Sequence, residues 1–492
     1  MTRYRHLITD ENRKWWTLGA MCFALFMVML DNTVVNVALP SIQRDLGASI
    51  SGLEWAVNGY TLSFGVFLAT AGRLGDIFGR RRGFLIGVSI FTLSSIACGL
   101  STSTTMLIVA RVFQGLGAAF MMPATLSIVT NAFRPAERGR AIGTWAGVSA
   151  VALAIGPVVG GFLTEQVSWQ SIFFLNVPVG IVAIIATVFA VRESRDHTVD
   201  HKLDPAGVAV LTISLTALVV ALVDGNSWGW GSPEIIALFT VFVVFAGAFF
   251  VIEPRVKAPI IDFSFLKSRN FVGANLVGFV VSFAMFGVFF FIALFMQDIL
   301  GYSPLEAGVR FLPSTLAIVL LAPVAGRVTD RIGPMWPIVA GLSLVSVSLF
   351  LQTRISVGDT YEDIWIVFVL LGMGLAFTIT PMSTAAMNSV KSTKAGVASG
   401  ILSMSRMIGG TVGVAALGAV FQSRVGDLSA KTMSAASPQA SAAFIDALTH
   451  AMRLSLLVTL LGIAIAVLLI RGERTSPVEK SARRSSPAAK SA

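Results

Sequence analysis

Long apolar runs recur from one end of this chain to the other, and they limit what it can fold into. Of 492 residues, 55% are hydrophobic and 13% are charged, which is about half the charged share of an ordinary soluble domain. Each run is long enough to cross a hydrocarbon core of about 30 Å as a helix, whose backbone groups are satisfied internally. The sequence therefore predicts an all-α polytopic membrane protein in a lipid bilayer.

We expect fourteen spans, six before a central pair and six after it. They run from Trp15 to Pro40, Leu53 to Ala71, Gly83 to Leu100, Thr105 to Thr130, Ala141 to Leu163, Ser171 to Val191, Leu203 to Val223, Pro233 to Val251, Phe271 to Gln297, Ala307 to Val324, Met335 to Leu351, Ile364 to Ala386, Gly396 to Phe421 and Met452 to Ile470.

These spans divide the chain into five segments. We expect an N-terminal segment (1–14), a six-helix bundle (15–191), a charged loop with a two-helix hairpin (192–270), a second six-helix bundle (271–470) and a disordered basic tail (471–492). Between the last two spans, Gln422 to His450 reads as a loop with one short helix around Ser441 to Leu448.

The formal net charge of +10 does not indicate nucleic-acid binding, because the basic residues lie in short alternate loops rather than on one arm or face. Lys and Arg near span ends are retained in the cytoplasm. We therefore expect a multi-pass protein of the cytoplasmic membrane with both termini inside the cell, and a monomer.

The sequence gives little support to an enzyme. Two cysteines, Cys22 and Cys98, fall inside spans, so neither a disulfide framework nor a thiolate metal site is indicated. It contains no GxxxxGK[ST] phosphate-binding motif, and we find no nucleophile-base constellation and no metal-ligand cluster. We expect no cofactor and no metal.

Asp31 is the residue that most needs an explanation. It lies deep inside the first apolar run, where an unpaired charge costs at least about 3 kcal/mol. The simple interpretation is a hydrogen bond that fixes helix packing. The functional interpretation is a proton-binding site, because burial favours a neutral carboxyl group while a nearby cation favours the charged one.

The fourth span carries a candidate partner for Asp31. Arg111, Gln114 and Gly115 lie at i, i+3 and i+4 on one helix face. Arg111 needs an acid at that depth, and Asp31 is the nearest plausible one. The alternative is that Arg111 extends its guanidinium group to the membrane surface.

The loop after the second span is repeated later in the chain. Its glycines, acid and basic cluster predict a conformational latch in which Asp76 meets the positive end of a neighbouring helix. The residues assigned to this latch are Gly72, Asp76, Gly79, Arg80 and Arg81. The spacing recurs as Gly326, Arg327, Asp330 and Gly333, which implies two related bundles with a substrate site between them.

Two further sets of residues are candidates of lower specificity. Small residues and a proline in the fifth span, namely Gly156, Pro157, Gly160 and Gly161, are typical of helix packing in membranes. Phe and Met density in the ninth span would suit an adaptable apolar pocket, although such residues also face lipid or core. The candidate cavity residues are Asn32, Trp55, Tyr60, Gln114, Phe286, Phe290 and Gln297.

Taken together, these motifs resemble the major facilitator superfamily, specifically its fourteen-helix drug:proton antiporter branch. GRLGDIFGRR (Gly72 to Arg81) is similar to the superfamily's loop signature, and LDNTVVNVALP (Leu30 to Pro40) to the branch's first-helix motif. The pattern around Arg111, the run GPVVGG (Gly156 to Gly161), FLNVPVG (Phe174 to Gly180) and QDILGYSP (Gln297 to Pro304) extend the resemblance. Ile77 and Gln170 depart from it, since both positions usually hold Arg.

The resemblance implies a major facilitator fold and alternating access powered by inward proton flow. It implies that Asp31 couples the proton, that Arg111 tunes it, that Asp76 belongs to the latch and that Gly156 to Gly161 is the antiporter motif. The expected function is proton-coupled export of hydrophobic or amphipathic small molecules. Alternatives are a narrow exporter of a metabolite, lipid or self-made antibiotic, a symporter, or, outside transport, a membrane receptor or a channel.

Overall fold

The computed structural model describes residues 9, 12–195, 204–256, 259, 263–390, 395–425 and 438–471. Within these ranges the regular elements are sixteen α-helices, with short 3₁₀ turns and one π-helical turn. The tail from 472 onward and the charged loop from 196 to 203 lie outside the described residues.

The first nine helices are α1 (Arg13–Leu46), α2 (Ile50–Phe78), α3 (Arg80–Gly99), α4 (Thr104–Ala132), α5 (Pro135–Gln166), α6 (Ser171–Phe174), α7 (Asn176–Ala190), α8 (Pro205–Trp228) and α9 (Pro233–Ile252). The remaining seven are α10 (Arg269–Leu294), α11 (Pro304–Arg310), α12 (Leu312–Ile332), α13 (Met335–Gln352), α14 (Tyr361–Asn388), α15 (Ala395–Val425) and α16 (Pro438–Leu469).

Short polar residues fix where several helices begin. The hydroxyl groups of Ser49, Ser103 and Ser232 accept backbone N–H bonds in the first turns of α2, α4 and α9. Ser303 and Glu306 form a reciprocal capping box at α11. Such caps satisfy amide groups that have no partner within the helix.

The number and order of the spans expected from the apolar runs agree with these helices. Thirteen of them, counting α6 with α7 and α11 with α12, are long and apolar enough to span a bilayer. The fourteenth span is α2, which is less apolar than the others because its sequence includes the polar residues Glu54, Asn58 and Thr61. All three are buried.

Several of the expected boundaries differ from the ends of the helices, and three of these differences are instructive. Pro40 does not end the first span, because α1 continues to Leu46 and a proline inside a packed membrane helix is tolerated. The short helix expected around Ser441 to Leu448 is instead the beginning of α16. The span from Ala307 begins earlier, at Pro304, and is broken between α11 and α12.

The helices assemble into two halves. The N half contains α1 to α7, the C half contains α10 to α16, and the α8–α9 hairpin packs on α2 and α15. The halves meet chiefly where α2 packs on α15 and where α5 packs on α11 and α12. We call the side of the molecule that carries Arg73, Arg80 and Arg134 the basic face, and the other side the opposite face.

The two halves are in contact at the opposite face and diverge toward the basic face. In α5, residues 156–161 toward the opposite face are buried or half-buried, whereas most of residues 138–147 toward the basic face are exposed. The C-terminal half of α12, which ends at the basic face, is similarly exposed. The structure is therefore closed at the opposite face.

Candidate functional site

The structure brings Asp31 and Arg111 together in the middle of the N half. Asp31 lies halfway along α1, and its side chain is fully buried. Arg111 of α4 donates from Nη1 to Asp31 Oδ2 at 2.6 Å. Two opposite charges at this distance, both excluded from water, compensate each other's cost of burial.

Arg111 has partners on every side. Its Nη1 also donates to the Gln114 side-chain oxygen at 2.7 Å, and its Nε donates to the carbonyl oxygen of Ala56 on α2 at 3.1 Å. The guanidinium carbon lies 4.1 Å from the centre of the Tyr60 ring, within the range of a cation–π interaction. Arg111 therefore does not extend to the membrane surface.

The second carboxylate oxygen of Asp31 is held by two amide groups. Gln114 Nε2 donates to Asp31 Oδ1 at 2.9 Å, and Asn176 Nδ2 of α7 donates to the same oxygen at 3.1 Å. Both amide groups also donate to Ser95 Oγ of α3, at 2.9 and 3.3 Å. The acid is thus surrounded by donors from α4 and α7, with α3 holding the donors in place.

Asn176 and Ser95 were not identified as site residues from the sequence. Asn176 stands inside FLNVPVG, which we used only to support the family resemblance. An isolated Asn at the start of an apolar helix is the available signal, because buried polar groups in membranes need partners. Ser95 offers no signal, since a serine can satisfy itself on its own helix.

The strength of this arrangement depends on the charge of Asp31. While Asp31 is charged, the Arg111 bond is a charge-assisted one, which is about twice as strong as a neutral bond. A proton on Asp31 removes that attraction and leaves Arg111 to Gln114, Ala56 and the Tyr60 ring. Protonation would therefore loosen the contact between α1 and α4.

The candidate cavity residues do not all lie together. Tyr60 and Gln114 join the Asp31 cluster, and Asn32 donates to the Tyr60 hydroxyl group at 3.4 Å. Trp55 faces α8, where its indole N–H donates to Asp224 at 3.4 Å. Gln297 crosses between the halves and donates to the carbonyl oxygen of Val37 at 2.8 Å.

The two phenylalanines lie in the C half. Phe286 packs against Gly410 of α15. Phe290 is fully buried and makes a T-shaped, edge-to-face contact with Phe291, with ring centres 4.9 Å apart. Both belong to the large apolar core around α10.

Two cavities are evident at the surface of the N half. One of about 890 Å³ opens at the basic face, and its charged lining residues are Arg13, Lys14, Arg134, Glu137, Arg192 and Glu193. A second, of about 600 Å³, is an apolar groove between α3 and α4. None of the seven candidate cavity residues lines either cavity.

The GPVVGG run of α5 lies between the two halves. Gly156 and Gly160 pack on α1, against Thr33 and Val34. On the other side of α5, a Cβ atom at Gly161 would overlap the carbonyl oxygen of Pro304, and one at Gly308 of α11 would overlap the carbonyl oxygen of Pro157. The two backbones are therefore in direct contact near the opposite face.

The loop between α2 and α3 is held by an acid that we did not predict. Glu193, after α7, accepts the backbone N–H groups of Arg81 and Arg82 at 3.0 and 3.2 Å, at the positive end of α3. In this conformation Asp76 instead accepts from Arg80 of its own loop at 2.8 Å. Gly79, at a φ of +122°, supplies the turn that Glu193 covers.

The repeated loop in the C half has the same turn but not the same contacts. Gly333 ends α12 at a φ of +85°. Asp330 is exposed, and no ion pair is described for it. The repeat therefore preserves a positive-φ glycine at the turn, and among the described residues an acid cap is found only on the N-half loop.

Comparisons with known proteins identify the family. The profile of the Major Facilitator Superfamily matches residues 21–414. The tetracenomycin C resistance and export protein of Streptomyces glaucescens is 36% identical over 420 residues, which are 85% of this chain and 78% of that protein. The multidrug resistance protein Stp of Mycobacterium tuberculosis (strain CDC 1551 / Oshkosh) is 38% identical over 405 residues, which are 82% of this chain and 75% of that protein.

A solved structure agrees with the fold. The inward-facing, unoccupied crystal structure of a bacterial homolog of the human lysosomal transporter Spinster superposes with a TM-score of 0.65 at 17% identity, and the match covers 94% of this chain and 97% of that one. The fold, the sequence profile and the relatives agree with one another, and this chain belongs to the Major Facilitator Superfamily.

Proposed function

We propose that this protein is a proton-coupled antiporter that exports hydrophobic or amphipathic small molecules by alternating access. The single observation that carries the proposal is the buried ion pair of Asp31 and Arg111. A carboxylate that binds a proton in the core of the N half can link proton uptake to a change in helix packing.

In this proposal a proton from outside the cell neutralises Asp31 and weakens its bond to Arg111. Release of the proton to the cytoplasm restores the bond. Each proton that moves inward gains about 2.3 kcal/mol per 100 mV of membrane potential. Asp31 and Arg111 are the coupling residues, while Gln114 and Asn176 orient the carboxylate.

The other candidate residues receive roles in the same cycle. The loop with Gly72, Asp76, Gly79, Arg80 and Arg81 is the latch, in which Asp76 leaves Arg80 for the positive end of a neighbouring helix in the other conformation. The α5 motif from Gly156 to Gly161 closes the pathway at the opposite face. Asn32, Trp55, Tyr60, Gln114, Phe286, Phe290 and Gln297 are proposed to face the substrate when the halves move.

We propose that the basic face is cytoplasmic, since Lys and Arg near span ends are retained inside the cell. Both termini are then cytoplasmic, and the protein is a monomer of the cell membrane. The proposed domains keep their limits at 15–191 and 271–470, with the hairpin segment 192–270 between them. The described conformation is then inward-facing.

The names of the two relatives support export but differ in breadth. One is a tetracenomycin C resistance and export protein and the other a multidrug resistance protein. A panel of dyes, quaternary ammonium compounds and antibiotics therefore separates a broad exporter from a narrow one.

The test is substrate efflux from proteoliposomes under an imposed pH gradient. We expect wild-type protein to move both substrate and protons, and the Asp31→Asn variant to lose pH-driven efflux. Glu362→Gln, which neutralises an exposed acid at the start of α14, is the matched control and retains transport. Undiminished pH-driven efflux in Asp31→Asn would contradict the proposal.

A further inference from the structure

A second carboxylate, Glu54, is buried near the opposite face and has no part in the Asp31 cluster. It lies in the second turn of α2 and is 0% exposed. Its Oε1 accepts from Gln422 Nε2 of α15 at 2.9 Å. Its Oε2 is buried without a hydrogen-bond partner, and no ion pair of Glu54 is found within the described ranges.

Glu54 lies at the contact between the two halves. Gly418 of α15 packs directly on its carboxylate, so that a Cβ atom at that position would overlap Oε1. Gln422 also accepts a hydrogen bond from Ser51 of α2 at 3.0 Å. Glu54 is therefore excluded from water while α2 and α15 are in contact.

The charged groups around Glu54 do not compensate a negative charge. From α8, Asp224 is the nearby titratable group, and its carboxylate is bound by Trp55. From α15, Arg424 is exposed and belongs to no described ion pair. From α4, Arg111 is engaged by Asp31. A second acid therefore faces Glu54 where a cation would be needed.

A buried carboxylate with one donor, no cation and a neighbouring acid is stable only as a neutral group. We propose that Glu54 is a second proton-binding residue, protonated while α2 and α15 are in contact and deprotonated when that contact opens. This proposal rests on the alternating-access cycle described above. Proton binding at Glu54 from the outside then permits the opposite face to close.

The experiment measures that closure directly. Nitroxide labels at Thr102→Cys in the N half and Val357→Cys in the C half report the width of the opposite face by double electron–electron resonance. Both positions are exposed, and the native Cys22 and Cys98 are buried. We expect the wild-type distance to be short at acidic pH and to lengthen as the pH rises.

The Glu54→Gln variant is expected to stay at the short distance at every pH, because its side chain is permanently neutral. Glu362→Gln, which neutralises an exposed acid at the start of α14, is the matched control and keeps the wild-type pH dependence. A pH dependence that persists in Glu54→Gln, that is lost in Glu362→Gln, or that is absent from the wild-type protein overturns the proposal.

Two features keep the outcome decisive. If Glu54→Gln does not fold, Glu54→Asp keeps an ionisable group in an altered position. The opening of the opposite face must then have a shifted pH midpoint in Glu54→Asp, and an unchanged profile overturns the proposal.

The distance measurement is also independent of substrate efflux. A negative result for Glu54 leaves the proposed role of Asp31 intact. Conversely, if Asp31→Asn retains pH-driven efflux, the distance measurement still tests Glu54 on its own.

Discussion

Asp31 and Glu54 are both acids buried in membrane helices, yet their surroundings differ. Asp31 accepts hydrogen bonds from Arg111, Gln114 and Asn176, all within the N half. Glu54 accepts one, from Gln422 in the C half. All three donors to Asp31 would move with it if the halves moved, so its charge can be kept, whereas the proposal made for Glu54 requires that acid to be neutral while α2 and α15 are in contact.

The strongest test of this contrast is a variant without Arg111, the cation that pairs with Asp31. Arg111→Ala leaves a buried charge unpaired, which typically costs about 3–5 kcal/mol, so we expect the largest fall in apparent melting temperature in detergent. Asp31→Asn in the same protein should recover part of the loss, because the remaining acid is then neutral.

The exposed Arg354 provides the control, and Arg354→Ala should melt like the wild type. If Arg111→Ala also melted like the wild type, Asp31 would already be neutral in this conformation and the contrast with Glu54 would disappear.

A smaller effect is expected from Asn176→Leu. This change removes one of three donors to a charged carboxylate, and a hydrogen bond to a charged group contributes about 1.5–3 kcal/mol. Thermal unfolding should place this variant between Arg111→Ala and the wild type. No measurable destabilisation would mean that Gln114 alone orients Asp31 Oδ1.

The smallest effect is expected from Gln422→Leu. It removes the donor to Glu54, and since that carboxyl group is neutral in the closed state, an ordinary bond of about 0.5–1.5 kcal/mol is lost. Thermal unfolding of Gln422→Leu in detergent again provides the measurement. A loss equal to or larger than that of Asn176→Leu would indicate that Glu54 is charged, and the contrast between the two acids would be wrong.

Much of the fold could be predicted from the sequence because lipid leaves few choices. An apolar run of sufficient length must form a helix, so the number of spans and their order follow from composition. The residues at which the helices begin and end could be predicted less accurately. Pro40 is absorbed into α1 by packing, and the polar start of α16 at Pro438 has no apolar signal.

The site was partly predictable for a similar reason. An acid and an arginine at similar depth in two spans each need a partner, so the sequence made Asp31 the nearest plausible partner of Arg111, and the structure shows their contact. Glu54 and Glu193 could not be assigned in this way. Glu54 stands near a span end, where acids are common, and its burial depends on how α15 packs. Glu193 follows α7 in a loop, and only the fold brings it to α3.

The close approach of Gly161 and Gly308 to the neighbouring backbones has a consequence for how such a transporter can evolve. In the proposed cycle, the barrier to leakage at this point is formed by peptide groups of α5 and α11 rather than by side chains. Mutations that change which compounds are recognised can therefore accumulate at other positions of the chain while the permeability seal is inherited unaltered.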